Sequence, residues 1–175
     1  SVLQQLKKRP KLVIMDTMNF WMDVALEDLK KVLGMVDLLM VNDSEARQLS
    51  GEYSLVKAAK RIQQMGPKYI IIKKGEHGAL LFYGDKVFSA PALPLEEVFD
   101  PTGAGDTFAG GFIGYLARIN DTSFESMKAA IIIGSAMASF CVEKFGPTRM
   151  KEVTAEDINS RVNNFVSLAN FEIRN

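Results

Sequence analysis

Short apolar runs and amphipathic stretches alternate along the chain, and polar residues separate them. Three runs are rich in aliphatic and β-branched residues and predict buried strands, at 11–15, 37–41 and 69–72. Two further short runs, 79–83 and 86–90, flank a Gly-Asp pair and predict a hairpin. Apolar residues at helical spacing predict helices over 26–33, 54–65, 107–119 and 124–142. Capping residues predict two more, a short helix after 42–45 that ends at Gly51 and a last one from Thr154 to Val166.

The order of these elements predicts the fold class. Strands that alternate with helices and are apolar along their whole length favour an α/β fold, a doubly wound and mostly parallel sheet with helices on both faces. Ligands of such sheets bind at the carboxyl ends of the strands. Polar clusters follow three predicted strands, at 16–19, 42–45 and 73–78. The length of 175 residues fits a single domain over residues 1–175.

Composition narrows the classes of partner. The chain has 21 basic and 21 acidic residues, so no net charge draws it to nucleic acid or to an anionic membrane. The longest nearly apolar run, at 129–142, is short for a bilayer and predicts a core helix. A single Cys excludes an internal disulfide and fits a cytoplasmic location. We therefore expect neither a nucleic-acid nor a membrane partner.

Residues 100–106, DPTGAGD, carry the clearest chemical signal. Gly103, Ala104 and Gly105 are small and stand where a loop turns into a helix, so their N–H groups could approach an anion closely. The carboxylate of Asp106 would repel a phosphate there unless it accepts a proton from a hydroxyl. Phosphoryl transfer needs both features. The alternative is that Asp106 merely caps the helix.

These residues resemble a known family. The stretch 100–112, DPTGAGDTFAGGF, is similar to the second signature of the PfkB, or ribokinase-like, carbohydrate kinases. The resemblance implies that Asp106 is the catalytic base. It also implies that the amides of Gly103, Ala104 and Gly105 hold the transferred phosphoryl group of ATP.

A second motif agrees with the first. Asn42 and Glu45 follow a predicted strand and resemble the family's Asn-x-x-Glu motif, which organises Mg²⁺, water and the nucleotide phosphates. Mg²⁺ keeps several waters and takes few carboxylates, so one Glu at a strand end suits it. The alternative is an ordinary capped helix start.

A glycine-containing loop follows the third predicted strand. The stretch 73–79, KKGEHGA, looks like the family's nucleotide-binding Gly-x-x-Gly loop, which implies that Lys73, Gly75 and Gly78 contact ATP. Lysine side chains could also neutralise phosphate charge. The alternative is a solvated turn between strands. His77, the only histidine, is predicted to be exposed in this loop.

The resemblance also implies a site for a monovalent cation such as K⁺. Asp100 and Thr102 match positions that help to hold this ion in the family, and backbone carbonyls near Cys141 and Gly146 would complete its ligands. Oxygen ligands suit a hard cation. Cys141 itself is predicted to be a small buried residue.

One loop departs from the family pattern. Relatives often carry a loop with Asp or Asn after the first of these strands, sometimes with an Arg that reaches substrate or phosphate, whereas this chain has Phe20 and Trp21 and no nearby Arg. Trp21 could pack against an acceptor or fill the core. We favour the core for Trp21.

The function implied is ATP-dependent phosphorylation of a hydroxyl group on a sugar or related small molecule, a phosphotransferase activity. The resemblance covers residues 11–145 and corresponds to the C-terminal portion of the family, without its N-terminal strands and lid. The alternative is therefore a nucleotide-binding or interaction module that has no activity alone. The lid often dimerises in the family, which leaves a homodimer open. An uncovered sheet edge would favour self-association.

Other nucleotide and hydrolase classes lack their motifs. The patterns GxxxxGK[ST], GxGxxG and GxSxG do not occur in the sequence. A P-loop NTPase, a dinucleotide-binding oxidoreductase and an α/β-hydrolase therefore have no support here. Related hydroxymethylpyrimidine kinases typically have Cys in place of the base, and Asp106 argues against them.

Overall fold

Five strands form one mixed sheet in which each strand lies beside its successor in the chain. They are β1 (Ile14–Asp16), β2 (Leu38–Asn42), β3 (Tyr69–Lys73), β4 (Ala79–Tyr83) and β5 (Lys86–Ala90). The first three run parallel, with Asp16 opposite Met40 and Asn42 opposite Lys73. This arrangement confirms the predicted parallel strands, and β4 and β5 take the positions of the predicted hairpin.

Seven α-helices occur in residues 2–173, the part of the chain that this computed structural model describes. They are α1 (Asn19–Val24), α2 (Leu26–Leu33), α3 (Asp43–Ser50), α4 (Leu55–Gln63), α5 (Ala104–Ile119), α6 (Phe124–Cys141) and α7 (Ala155–Ala169). Single 3₁₀ turns lie at Val2–Gln5, Gly75–His77 and Arg149–Lys151. Sequence periodicity missed α1 because six residues are fewer than two turns, too short for a periodic pattern.

The core of the sheet is buried on both faces. Side chains alternate between the two faces of a strand, so Leu39 and Val41 point one way and Leu38 and Met40 the other. All four are 0% exposed. Leu39 and Val41 belong to a cluster that includes side chains from α1, α2, α3 and α4. The apolar runs of the sequence therefore mark strands that are covered on both faces, as expected for a parallel sheet.

Helices α5 and α6 pack closely through two glycines. A methyl group at Gly134 would lie 2.7 Å from the carbonyl oxygen of Phe108. A methyl group at Gly111 would lie 2.9 Å from Cγ of Met137 and 3.1 Å from Cα of Gly134. The absence of these side chains lets the two helix backbones approach each other along residues 108–111 of α5.

Helix α6 is apolar along most of its length. Its 18 residues have a mean hydropathy of 1.2, so length and composition alone would allow it to cross a membrane. However, 44% of the helix is buried inside the structure. Met127, Ala130 and Ile131 are 0% exposed, as in the core helix that the sequence predicted.

The chain divides into two compact units. The first contains the residues up to Lys74 together with Leu80–Phe88, and the second contains Gly75–Ala79 and the residues from Ser89 onward. The single domain over residues 1–175 stays a prediction.

Candidate functional site

Polar residues end the three parallel strands at one edge of the sheet, as the sequence predicted. Asp16 ends β1, Asn42 ends β2 and Lys73 ends β3. The ammonium of Lys73 lies 2.7 Å from Oδ2 of Asp16, and the Lys73 side chain is only 20% exposed. Lys73 was expected to meet nucleotide phosphates, and within its own unit its charge is already paired. Asp16 was not among the predicted binding residues, although its place directly after a buried strand was a signal.

Asn42 and Glu45 cap helix α3. Oδ1 of Asn42 accepts hydrogen bonds from the backbone N–H of Glu45 at 2.8 Å and from the Ser44 hydroxyl at 2.7 Å. In return, Oε2 of Glu45 accepts the backbone N–H of Asn42 at 2.8 Å. The capping alternative is therefore realised, since this is a complete capping box. It leaves the second carboxylate oxygen of Glu45 for another ligand.

The Glu45 carboxyl group is unusually buried for an acid, with only 6% of the residue exposed. Burial raises the pKa of Glu45 above the ordinary 4.5, and the negative charge of Asp16 raises it further. The hydrogen bond from the backbone of Asn42 and the positive charge of Lys73 lower this pKa, but less than burial raises it. Next to Asp16 in the sequence, Oγ1 of Thr17 is buried and has no hydrogen-bond partner within residues 2–173. Such an orphaned hydroxyl at a carboxylate-lined strand end fits a bound water or hydrated cation. The oxygen donors of Asp16, Asn42 and Glu45 are of the kind that Mg²⁺ takes.

The loop after β3 contains two glycines with different constraints. Both have positive φ, 57° at Gly75 and 83° at Gly78, and the N–H of Gly78 donates to the carbonyl of Gly75 at 3.1 Å. A methyl group at Gly78 would lie 2.0 Å from the carbonyl oxygen of Ala90, whereas one at Gly75 would meet nothing within 4 Å. Gly78 is thus required by backbone packing, and Gly75 stands in open space. His77 is exposed, as predicted.

The N-terminus of α5 has no side-chain cap. Its N-cap is Gly103, which has the left-handed φ of 81° that favours glycine. The N–H of Ala104 donates to the carbonyl of Pro101 at 3.1 Å. Within the described part of the chain, the N–H groups of Gly105 and Asp106 have no hydrogen-bond acceptor. The first turn of α5 therefore offers free donors to an anion.

Asp106 is the third residue of α5, so the interpretation of this residue as an N-cap is wrong. The residue is exposed, and its carboxylate forms no hydrogen bond or ion pair with any residue from 2 to 173. A carboxylate that is not used by the fold is available to a substrate.

The segment after α6 lies against the loop before α5. Asp100 accepts the N–H of Thr102 at 2.9 Å through Oδ1 and that of Gly146 at 3.5 Å through Oδ2. The hydrogen bonds from Thr102, above all the one from its backbone, hold the pKa of Asp100 below 3.8. The Cys141 thiol donates to the Thr102 carbonyl at 3.7 Å, and Cys141 is buried as predicted. The predicted cation ligands are therefore neighbours, and their carboxylate and carbonyl oxygens suit a hard cation.

Trp21 does not fill the core. It is 47% exposed and Phe20 is 53% exposed, with the two rings in edge-to-face contact at 5.2 Å. On the short helix α1 it is Met22 that is buried, at 6% exposure. A six-residue helix buries one narrow face, which leaves the adjacent aromatic residues outside.

A family model described as pfkB family carbohydrate kinase matches residues 1–154. The chain belongs to the pfkB family of carbohydrate kinases. It is 30% identical to ribokinase from Arabidopsis thaliana over 152 residues, which cover 83% of this chain and 38% of that protein.

Two solved kinase structures are also similar to this chain. Aminoimidazole riboside kinase from Salmonella enterica, in complex with aminoimidazole riboside and an ATP analogue, has a TM-score of 0.74 and 27% identity. A putative ribokinase II from E. coli, in complex with ATP and Mg²⁺, has a TM-score of 0.70 and 25% identity.

The match covers only part of these relatives. It extends over 86% and 85% of this chain, but over 52% and 47% of the two solved chains. The chain thus spans about half the length of these structures and less of the plant ribokinase. The predicted ribokinase-like α/β fold is confirmed.

Proposed function

We propose that this chain carries the nucleotide-binding and catalytic residues of a kinase that transfers a phosphoryl group from ATP to a hydroxyl of a sugar or sugar-like molecule. Membership of the pfkB family supports the reaction class. The observation that carries the proposal is the first turn of α5, where free backbone donors accompany an exposed carboxylate without a partner. A carboxylate that stabilises the fold would be hydrogen-bonded or ion-paired within it. A catalytic base must instead be free to accept a proton from the substrate hydroxyl.

Asp106 acts as the base in this proposal. Its carboxylate accepts the proton of the acceptor hydroxyl as the oxygen attacks phosphorus. The amides of Gly103 and Gly105 stabilise the negative charge that develops on the transferred group. Ala104 lines the same turn, but its N–H is already donated to Pro101, so its contribution is the small side chain that keeps the turn accessible.

The strand ends of the first unit serve the nucleotide. Asn42 and Glu45 would hold hydrated Mg²⁺, which neutralises phosphate charge when it is bound. Glu45 suits this role because a buried carboxylate gains most from a nearby cation. Lys73 contacts phosphate only if it exchanges its partner Asp16. We assign Gly75 to close approach of the nucleotide.

The remaining assignments concern the rest of the nucleotide site. Gly78 shapes the loop after β3 from within. Asp100 and Thr102 would hold a monovalent cation such as K⁺ next to the anion-binding turn.

A replacement of the base tests the proposal. In the intact protein with ATP, Mg²⁺ and a panel of sugars and ribosides, Asp106→Asn should lower kcat by about 10²–10⁴-fold, the usual contribution of a positioned base. ATP affinity measured by calorimetry should change little, because the amide side chain has the same shape. Glu125→Gln is the matched control, since Glu125 is an exposed carboxylate in the first turn of α6. A loss below about tenfold for Asp106→Asn would exclude Asp106 as the base.

The second candidate function is a nucleotide-binding or interaction module without activity of its own. The observation that favours it is the length of the match, about half of the solved relatives. Binding of ATP without ADP release for any acceptor in the panel would support the module over the kinase.

A further inference from the structure

A cluster of charged side chains joins the end of α6 to α7 within the second unit. Oε1 of Glu143 accepts a hydrogen bond from Nη2 of Arg161 at 2.5 Å, and Oε2 accepts one from Nε of Arg149 at 2.9 Å. We call Glu143, Arg149 and Arg161 the Glu143 clamp. The three side chains are 27%, 21% and 15% exposed, so solvent screens these ion pairs less than ordinary surface pairs.

The two arginines of the clamp also contact the last turn of α6. The guanidinium of Arg161 lies 3.8 Å from the centre of the Phe140 ring and that of Arg149 lies 5.1 Å from it. Nη1 of Arg161 donates to the hydroxyl of Ser139 at 2.8 Å. Arg161 thus combines an ion pair, a neutral hydrogen bond and a cation–π contact, an arrangement that suits a planar guanidinium. Burial would raise the pKa of Glu143, but the two arginines outweigh it and hold that pKa below 4.5.

Glu143 is bracketed by the residues that touch the loop before α5. On one side, the Val142 carbonyl accepts the N–H of Phe99 at 2.9 Å and Cys141 contacts the Thr102 carbonyl. On the other side, the N–H of Gly146 points to Asp100. The clamp therefore fixes a segment that contacts the loop 99–102 at three points, and this loop continues directly into the N-cap Gly103.

We propose that Glu143 and Arg161 are positioning residues for the anion-binding turn at the start of α5. They hold residues 141–146 in place, and that segment holds the loop 99–102 from which the free donors and Asp106 follow. The role of that turn in phosphoryl transfer rests on the function proposed above, whereas the mechanical link rests on the contacts alone. Neither side chain needs to touch a substrate.

Hydrogen exchange tests the link directly. The N–H groups of Phe99, Thr102 and Ala104 are hydrogen-bonded, so peptides that cover residues 99–106 report how often the loop opens. In the intact protein, Arg161→Met and the nearly isosteric Glu143→Gln should each speed exchange there by roughly tenfold. Peptides from the sheet of the first unit should exchange at the wild-type rate.

Lys144→Gln is the matched control. Lys144 directly follows Glu143 and forms an ion pair with Glu152, which this substitution removes. Both partners of that pair are about half exposed. This variant should leave exchange in residues 99–106 unchanged. If the two clamp variants speed exchange there no more than Lys144→Gln does, or speed it equally in the first unit, the positioning role is overturned.

Kinetics separate the clamp from the proposed function. With an active wild-type protein, Arg161→Met should lower kcat about tenfold while KM for the acceptor stays within about twofold, since the acceptor contacts remain. Arg161→Lys keeps the positive charge but not the planar set of guanidinium donors, so its kcat should lie between those of the wild type and Arg161→Met. Faster exchange together with an unchanged kcat would refute the catalytic consequence. A wild-type protein without kinase activity would refute the proposed function and leave the exchange result as the test of the link.

Discussion

Gly78 and Gly75 lie three residues apart in one loop, and the structure predicts different consequences when each is changed to alanine. Both have positive φ, which costs an alanine about 1–2 kcal/mol. Only at Gly78 does the added methyl group collide, at 2.0 Å from the carbonyl oxygen of Ala90 and 2.7 Å from the carbonyl carbon of Pro91. Backbone atoms cannot swing aside as a side chain can, so the collision adds about 1–3 kcal/mol of overpacking.

The expected costs are therefore about 2–5 kcal/mol for Gly78→Ala and about 1–2 kcal/mol for Gly75→Ala. Against a typical domain stability of about 5–15 kcal/mol, the first change is severe and the second is tolerable. Urea unfolding followed by far-ultraviolet circular dichroism measures both free energies on the same protein. Gly75→Ala is the control, because it has the same backbone strain without the collision.

Equal free energies of unfolding for the two variants would refute the packing argument for Gly78. Calorimetric titration with ATP adds a second comparison. If Gly75 lets the nucleotide approach the backbone, Gly75→Ala should weaken ATP binding more than it weakens the fold. An unchanged affinity for ATP would remove Gly75 from the proposed nucleotide site.

Two further predictions concern the second unit. Gly134→Ala should destabilise the fold by about 1–3 kcal/mol in the same unfolding assay, because its methyl group would collide with the Phe108 carbonyl. The control is Gly114→Ala, which lies in open space on α5 and should stabilise the fold by about 0.5–1 kcal/mol. The opposite order of stabilities would contradict the close packing of the helices. Hydrogen bonds from Thr154, above all from its backbone N–H, hold the pKa of Asp157 below 3.8 at the start of α7. The ionised carboxylate therefore stabilises the protein above pH 3.8, and this stabilisation is lost as the pH falls through the lowered pKa. The free energy of unfolding of Asp157→Asn should depend less on pH in that range than that of the wild type. The same pH dependence for both proteins would contradict this prediction.

The candidate site shows which inferences the sequence supports. The turn at residues 103–106 was predicted from small residues beside a carboxylate, a local pattern that carries its own chemistry. Whether Asp106 caps the helix or stays free depends on where the helix begins. The periodicity predicted a start at Thr107, whereas α5 begins three residues earlier, at Ala104. Helix starts are set by backbone hydrogen bonds of the loop, which apolar spacing does not record.

Lys73 and Trp21 show the limits of such patterns. Lysines after a strand suggested phosphate contacts, which stay a prediction, and no pattern in the sequence indicated that Lys73 pairs with Asp16, which lies 57 positions earlier in the chain. Only the parallel pairing of β1, β2 and β3 brings those two strand ends to one edge. Trp21 was predicted to fill the core, whereas it is Met22 that is buried on the short helix α1.

The sequence by itself determined the alternation of strands and helices, the apolar strands, the glycine-rich turn and the carboxylate beside it. These follow from neighbouring residues, because propensity, periodicity and capping act over a few positions. The tertiary structure decided which charges are already paired, which glycine is constrained by packing, and that the segment bound by Glu143 and Arg161 contacts the loop before α5. Those features depend on contacts between distant segments, whose partners are chosen by packing geometry.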